Sequence, residues 1–388
     1  MQLAARRAAA VSLAGFATFL NLYTPQAILP ELARDLGIGE AQSSLTITVS
    51  LLAVALVAPF AGAVSDRLGR KRVMAVAAFS VVVPTILCAL APSLPVLLFW
   101  RFCQGLLLPF IFAVAIAYVG EECEGPEVVR TAGLYTSGSV IGGFAGRFVA
   151  GLAADLAGWR AAFLTLAALT FLTSVAFTLL LPKEQRFRPM TGGIGATIGA
   201  YVSHFANSRL RDTCLVGFGM LFSLVAAFTF INFRLAAPPF SLGPASLGAV
   251  FAVYLLGAAA TPLATRAAAR IGRRRTMLGA VSVGILGCLL TVLPSLSAII
   301  AGLSLAGIAL FITQALALSF IPQVVTRARS AAVGLYVTSY YIGGSLGAVV
   351  PIPVWHHAGW PGVAALTAAM MLLMLAVSLR GWAPAQDS

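Results

Sequence analysis

The stretch GAVSDRLGRKR (Gly62–Arg72) sets four cations, one carboxylate and two glycines between two long apolar runs, residues 42–64 and 73–92. Each run is about 20 residues long, enough for a helix to cross a hydrocarbon layer ~30 Å thick. Gly69 permits a tight backbone turn. The stretch therefore reads as a short connection between two membrane-spanning helices, exposed on one side of a bilayer.

The same pattern extends in both directions. Toward the N-terminus lies a run at 8–30; toward the C-terminus lie runs at 95–118, 131–153, 159–181, 212–234, 245–266, 275–294, 297–320, 330–353 and 360–382. Lipid offers backbone groups no hydrogen-bond partner, so all twelve are predicted to be helices. The composition agrees: 60% of residues are hydrophobic and 10% charged, against about 25% charged in a soluble chain. The first run follows Arg6 and Arg7 as a signal peptide would, but it is too long and eleven more follow, so it is read as retained.

The formal charge of +13 reports orientation. Twenty of the 25 Lys and Arg residues, beginning with Arg6, Arg7, Arg67, Arg70, Lys71 and Arg72, fall at the span ends that alternate crossing places together with both termini. By the positive-inside rule that side is the cytoplasm. Only Arg34, Arg101, Arg147, Arg160 and Arg234 lie elsewhere. Nucleic-acid binding is thereby excluded as an explanation of the charge. The five cysteines have no metal-ligand spacing, no Walker motif is present, and the three histidines form no HExxH pair. No cofactor, metal or catalytic residue is expected, and the chain is not read as an enzyme.

The chain resembles itself. AGLYTSGSVIGG (132–143) parallels VGLYVTSYYIGG (333–344), DLAGWRAAF (155–163) parallels HHAGWPGVA (356–364), and VAPFAGAVSDRLGRKRVM (57–74) parallels ATPLATRAAARIGRRRTM (260–277). The predicted organisation is a six-helix bundle over 1–182, a cytoplasmic linker over 183–211 with room for a short amphipathic helix at the membrane surface, and a second six-helix bundle over 212–388. Repeated halves point to transport by alternating access, with a small-molecule site between them near the midplane.

Three motifs carry a family resemblance. Gly62–Arg72 resembles the Gly-x-x-x-Asp-Arg-x-Gly-Arg-Lys/Arg signature of the major facilitator superfamily, and RFCQG (Arg101–Gly105) resembles its Arg-x-x-Gln-Gly motif. GRFVAG (Gly146–Gly151), just before Gly158-Trp159-Arg160, resembles the Gly-Pro-x-x-Gly-Gly motif of the drug:proton antiporters, with Arg147 at the proline position. The resemblance implies an all-α fold of twelve transmembrane helices in two six-helix repeats, in a bacterial inner membrane, as a monomer. It implies that Gly62, Asp66, Arg67, Gly69 and Arg70 form a conformational latch. It also implies that Gly142, Gly143, Gly146 and Gly151 let the fifth span approach the eighth closely.

Arg101 and Arg147 stand at similar depths within the fourth and fifth spans, where a charge needs a partner or a water-filled cavity. Arginine cannot release a proton. Proton coupling is therefore expected to pair Arg101 and Arg147 with a titratable neighbour, ranked Asp155, then Glu31 and Asp35, then His356. Polar and aromatic residues expected at the substrate cavity are Asn21, Tyr23, Gln26, Gln104, Phe110, Tyr118, Phe230, Asn232, Gln314 and Tyr340, with Tyr135, Tyr336 and Tyr341 beside them. The expected activity is proton-coupled export of amphipathic drugs or metabolites, neutral or anionic. The alternatives are transport of a sugar, amino acid or organic anion, and a non-transporting membrane receptor or scaffold.

Overall fold

The computed structural model describes residues 3–185, 199, 203–325 and 329–382. Fourteen α-helices can be delimited among the described residues: α1 (Leu3–Leu22), α2 (Leu29–Asp35), α3 (Glu40–Leu68), α4 (Arg70–Ala89), α5 (Leu94–Leu107), α6 (Pro109–Glu122), α7 (Pro126–Leu180), α8 (Ser208–Ala236), α9 (Pro244–Val250), α10 (Val253–Ile271), α11 (Arg273–Leu290), α12 (Leu296–Val324), α13 (Arg329–Gly347) and α14 (Pro351–Gly381). No strand occurs among the described residues. Most of the expected linker, with its amphipathic helix, lies outside them.

Twelve spans are threaded through these helices. Among the described residues nine helical stretches are long and apolar enough to cross a membrane. One of them, α7, is two crossings joined at Ala157 (φ −150°) and Gly158 (φ 81°). The shorter α11 and α13 supply the remaining two. Prolines account for two of the breaks inside single crossings. Between α1 and α2 the chain tightens into a 3-10 turn, Thr24–Ile28, with Pro25 at its start, and Pro109 opens α6 directly after α5; proline has no N–H to continue a helical ladder.

The chain forms two compact units. The first contains Met1–Ile194 and Leu235–Phe251, the second Gly195–Arg234 and Ala252–Ser388. The repeat read from the sequence recurs in their backbones. Gly69 (φ 92°) and Gly272 (φ 86°) turn the equivalent basic loops, and Gly158 (φ 81°) and Gly359 (φ 56°) turn the two Gly-Trp corners.

In the first unit α1 lies along α7. A Cβ on Gly138, Gly142 or Gly146 would stand 2.2, 2.3 or 2.2 Å from the carbonyl oxygens of Ser12, Phe16 and Leu20, so only glycine allows this approach. In the second unit Gly343 and Gly347 meet the carbonyls of Phe218 and Phe222 in the same way, and Ser339, at the position of Gly138, donates to Cys214 O (2.9 Å). This corrects the expected role of the glycine motif. Glycines four residues apart form one stripe along a helix, and that stripe faces the first span; Gly151 is the member that meets the eighth, at Pro244 O. Gly143 lies beside the Arg147 side chain.

Candidate functional site

Arg101 is 0% exposed and its donors converge on the end of α1. Nη1 donates to Asn21 O (3.1 Å), Nη2 to Leu22 O (2.7 Å) and Nε to Thr46 O on α3 (3.2 Å). Asn21 and Leu22 close α1, where helical carbonyls lose their intrahelical partners and the backbone dipole is negative. A guanidinium suits that place because its planar fork reaches several acceptors at once.

The network continues through neutral groups. Gln104 Oε1 accepts from Arg101 Nη1, and Gln104 Nε2 donates to Thr85 Oγ1 (2.6 Å). Thr85 Oγ1 stands 3.3 Å from Asn21 Oδ1, and Asn21 Nδ2 donates to Thr170 Oγ1 (2.9 Å). Asn21, Gln104 and Arg101 thus meet in a buried set joining α1, α4, α5 and α7. Thr85 and Thr170 complete it; a single threonine in an apolar run gave no signal in the sequence.

Arg147 is also buried, at 1% exposure. Its Nε donates to Gln26 Oε1 (2.8 Å) and its Nη1 to Gly143 O (2.5 Å). The guanidinium carbon stands 4.8 Å from the centre of the Tyr23 ring and 4.5 Å from that of Phe251, and ring faces attract a cation most strongly where water is excluded. Tyr23 and Gln26 reach it because α1 breaks there. Phe251 reaches it because α9 stops at Val250 and the chain turns before α10, a break the apolar run did not reveal. Beside this cage, Cβ atoms on Gly151 and Gly248 would collide with the facing backbone of Pro244 and Arg147. The glycines let α7 and α9 touch.

Two of the candidate acids accept N–H groups at helix starts, and the third accepts from side chains. Asp155 is exposed and accepts the Ala245 N–H (3.0 Å) at the beginning of α9. Asp35 accepts from Trp159 Nε1 (2.6 Å) and from Arg160 (2.9 Å). Glu31 Oε1 accepts the Trp159 N–H (3.1 Å), where α7 restarts after its kink, while Glu31 Oε2 is buried with no hydrogen-bond partner among the described residues. The expected competition of Arg101 and Arg147 for one acid takes another form here: the arginines hold carbonyls, an amide and rings, and the acids hold N–H groups. At Asn21, Leu22, Trp159 and Ala245 these bonds satisfy helix ends that the breaks leave open. His356 is exposed on α14.

Where α3, α4 and α6 meet at one end of the first unit, Arg70 gathers carboxylates. It pairs with Asp66 four residues earlier, and with Glu121 through Nε (3.0 Å) and Nη2 (2.5 Å). Nη1 also reaches Ser65 Oγ and Gly62 O. Arg67 is exposed. Arg7 pairs with Glu122 (3.0 Å), Lys71 donates to Leu181 O (2.5 Å), and Tyr118 OH donates to Pro182 O (3.3 Å). Tyr118 is thereby placed toward the C-terminal end of α6, beside Pro182. Glu121 was legible in the sequence only as one of several loop acids.

Other cavity candidates divide by burial. Phe110 is half-buried on α6. In the second unit Phe230 is buried against Phe233 and Trp355, and Asn232 Nδ2 donates to Phe228 O (2.6 Å). Gln314 Nε2 donates to Tyr340 OH (3.3 Å), a pair left half-buried. Among the described residues no three of His, Cys, Asp and Glu come together as metal ligands would.

The sequence profile of the Major Facilitator Superfamily matches residues 11–236 and again 213–387. The chain is 33% identical to "Inner membrane transport protein YnfM" of Escherichia coli (strain K12) over 367 residues, 95% of this chain and 88% of that one. It is 30% identical to "Uncharacterized MFS-type transporter YybF" of Bacillus subtilis (strain 168), over 94% of this chain and 90% of that one. Its fold superposes with a TM-score of 0.78, at 16% identity, on a crystal structure titled as a bacterial homolog to the human lysosomal transporter Spinster, inward-facing and unoccupied, covering 99% and 100% of the two chains.

Proposed function

This chain belongs to the major facilitator superfamily and is a multi-pass membrane transporter of a small molecule, not an enzyme; from that premise we propose that it exports amphipathic, neutral or anionic compounds in exchange for protons. Glu31 carries this reading. One carboxyl oxygen accepts the Trp159 N–H and the other is buried without a partner among the described residues. A bare carboxylate oxygen in such a place is costly, whereas a protonated carboxyl is not. Glu31 loads a proton when this end of the first unit is closed and releases it when water reaches it.

Arg147 is the substrate-facing cation of the same unit. Its rings and Gln26 hold it ready while leaving a cation–π cage that an anionic head group with an apolar body displaces. The aromatic, glycine-lined character of that face supports an amphipathic substrate. Asp66 and Arg70, with Gly62, Arg67 and Gly69, are the latch, fixing the ends of α3, α4 and α6 to one another through Glu121. A second reading, transport of a small polar solute, is favoured by the half-buried Gln314–Tyr340 pair.

Purified protein in proteoliposomes separates the two. An imposed pH gradient is expected to drive amphipathic dyes and organic anions across the membrane, and a protonophore to stop it. Movement of polar solutes alone, indifferent to the proton gradient, would remove the proposal.

A further inference from the structure

The two units carry very different charge. The first holds fourteen basic and ten acidic residues, the second eleven basic and two acidic, Asp212 and Asp387. The difference is concentrated at equivalent turns. In the first unit, Gly69-Arg70-Lys71-Arg72 opens α4 among acids: Asp66 and Glu121 hold Arg70, and a Cβ on Gly69 would lie 2.6 Å from Glu184 Oε1. A carboxylate thus stands over the start of α4, where N–H groups lack intrahelical partners and the dipole is positive.

Gly272-Arg273-Arg274-Arg275 opens α11 in the same conformation without those acids. Ala269 replaces Asp66. No described protein atom lies within 4 Å of a Cβ on Gly272. Arg273 turns instead to Gln323 and Ser319 (both 3.2 Å) and to the ring of Phe320. The Nε atoms of Arg273 and Arg274 have no hydrogen-bond partner among the described residues, although Arg274 Nη2 donates to Leu379 O, while Arg270 and Arg275 are exposed. Three cations in the first turn repel the dipole beneath them unless an anion intervenes. Leu263, Ile271 and Leu278, all exposed on α10 and α11, supply the apolar wall that acyl chains need.

We propose that the start of α11 binds the phosphate of an anionic phospholipid, with Arg274, Arg275 and Arg270 around the head group and the acyl chains along α10 and α11. The lipid takes the place that the carboxylates of Glu184, Asp66 and Glu121 hold in the first unit. A juxtamembrane cation near an anionic surface contributes about 1 kcal/mol, about fivefold in affinity.

The full-length protein in detergent is titrated separately with phosphatidylglycerol, phosphatidylcholine and inorganic phosphate, with bound lipid read by native mass spectrometry and Tm by thermal unfolding. Phosphatidylglycerol is expected to bind and to raise Tm beyond the other two. Arg275→Gln should weaken it about fivefold and Arg274→Gln/Arg275→Gln further. Ala269→Asp, which restores a carboxylate four residues before Arg273 at an exposed position, should weaken it too, and Asp387→Asn should change nothing. Unchanged phosphatidylglycerol affinity in the arginine variants would overturn the proposal. So would equal stabilisation by inorganic phosphate, or a several-fold gain in Asp387→Asn, which would make the chain's own carboxylate the occupant.

Discussion

Replacing Arg101 by methionine removes a charge from the centre of the first unit and should destabilise it, although a buried charge is normally a burden. Three backbone carbonyls, Asn21 O, Leu22 O and Thr46 O, and Gln104 Oε1 accept from this guanidinium. Methionine fills similar volume and leaves all four without their donor. Removing one side of a buried charged set costs ~3–5 kcal/mol, and a single orphaned carbonyl ~1–3 kcal/mol; partial relaxation of α1 keeps the total near the first figure. At ~2 °C or more per kcal/mol for a chain of this size class, Tm should fall on the order of 5–10 °C. Arg101→Lys should fall between, since one ammonium keeps the charge but cannot reach acceptors on both α1 and α3. The assay is thermal unfolding of purified protein in one detergent. A Tm within a degree of wild type for Arg101→Met would refute the reasoning, and would return Arg101 to a role confined to coupling.

Gly142→Ala should cost ~1–3 kcal/mol by overpacking, because its Cβ meets Phe16 O at 2.3 Å, whereas Gly133→Ala, with nothing within 4 Å, should be neutral or slightly stabilising; thermal unfolding of the pair checks this. Arg147→Ala should fold and lower transport about tenfold, the ~1–2 kcal/mol of a desolvated cation–π contact, and Arg147→Lys should not restore it, since an ammonium cannot lie flat between Tyr23 and Phe251; initial rates in proteoliposomes decide. Asp66→Asn should lower Tm less than Arg70→Gln, because Arg70 keeps its two bonds to Glu121 in the first variant, while the second leaves Asp66 and Glu121 facing each other.

The fold was legible because its determinants are long-range in composition and short-range in geometry. Twenty apolar residues force a helix, and a glycine ahead of a basic cluster between two such runs permits a turn, so Gly69 was legible from its own loop and Gly272 through the repeat; Gly158 and Gly359 were not, because an Ala-Gly pair is as often helical, as at Gly62, Gly133 and Gly146. The site was legible only in part. Arg101 and Arg147 stood out because charge in an apolar run is rare, but their partners are carbonyls, threonines and rings that look like any other residue of a span. Tyr23, Gln26 and Phe251 meet Arg147 because two spans break, and a break at Val250 with no proline leaves no mark in the sequence. The glycine stripe was visible while its partner was not. Small residues declare a close approach without saying which helix approaches.

The most direct test of proton exchange through Glu31 is the transport of Glu31→Gln in proteoliposomes, measured once with a pH gradient and once as substrate exchange at equal pH. The amide keeps the bond to the Trp159 N–H and imitates the protonated acid, so exchange should persist at near wild-type rates while gradient-driven accumulation disappears. Undiminished accumulation by Glu31→Gln under the same gradient would contradict the account.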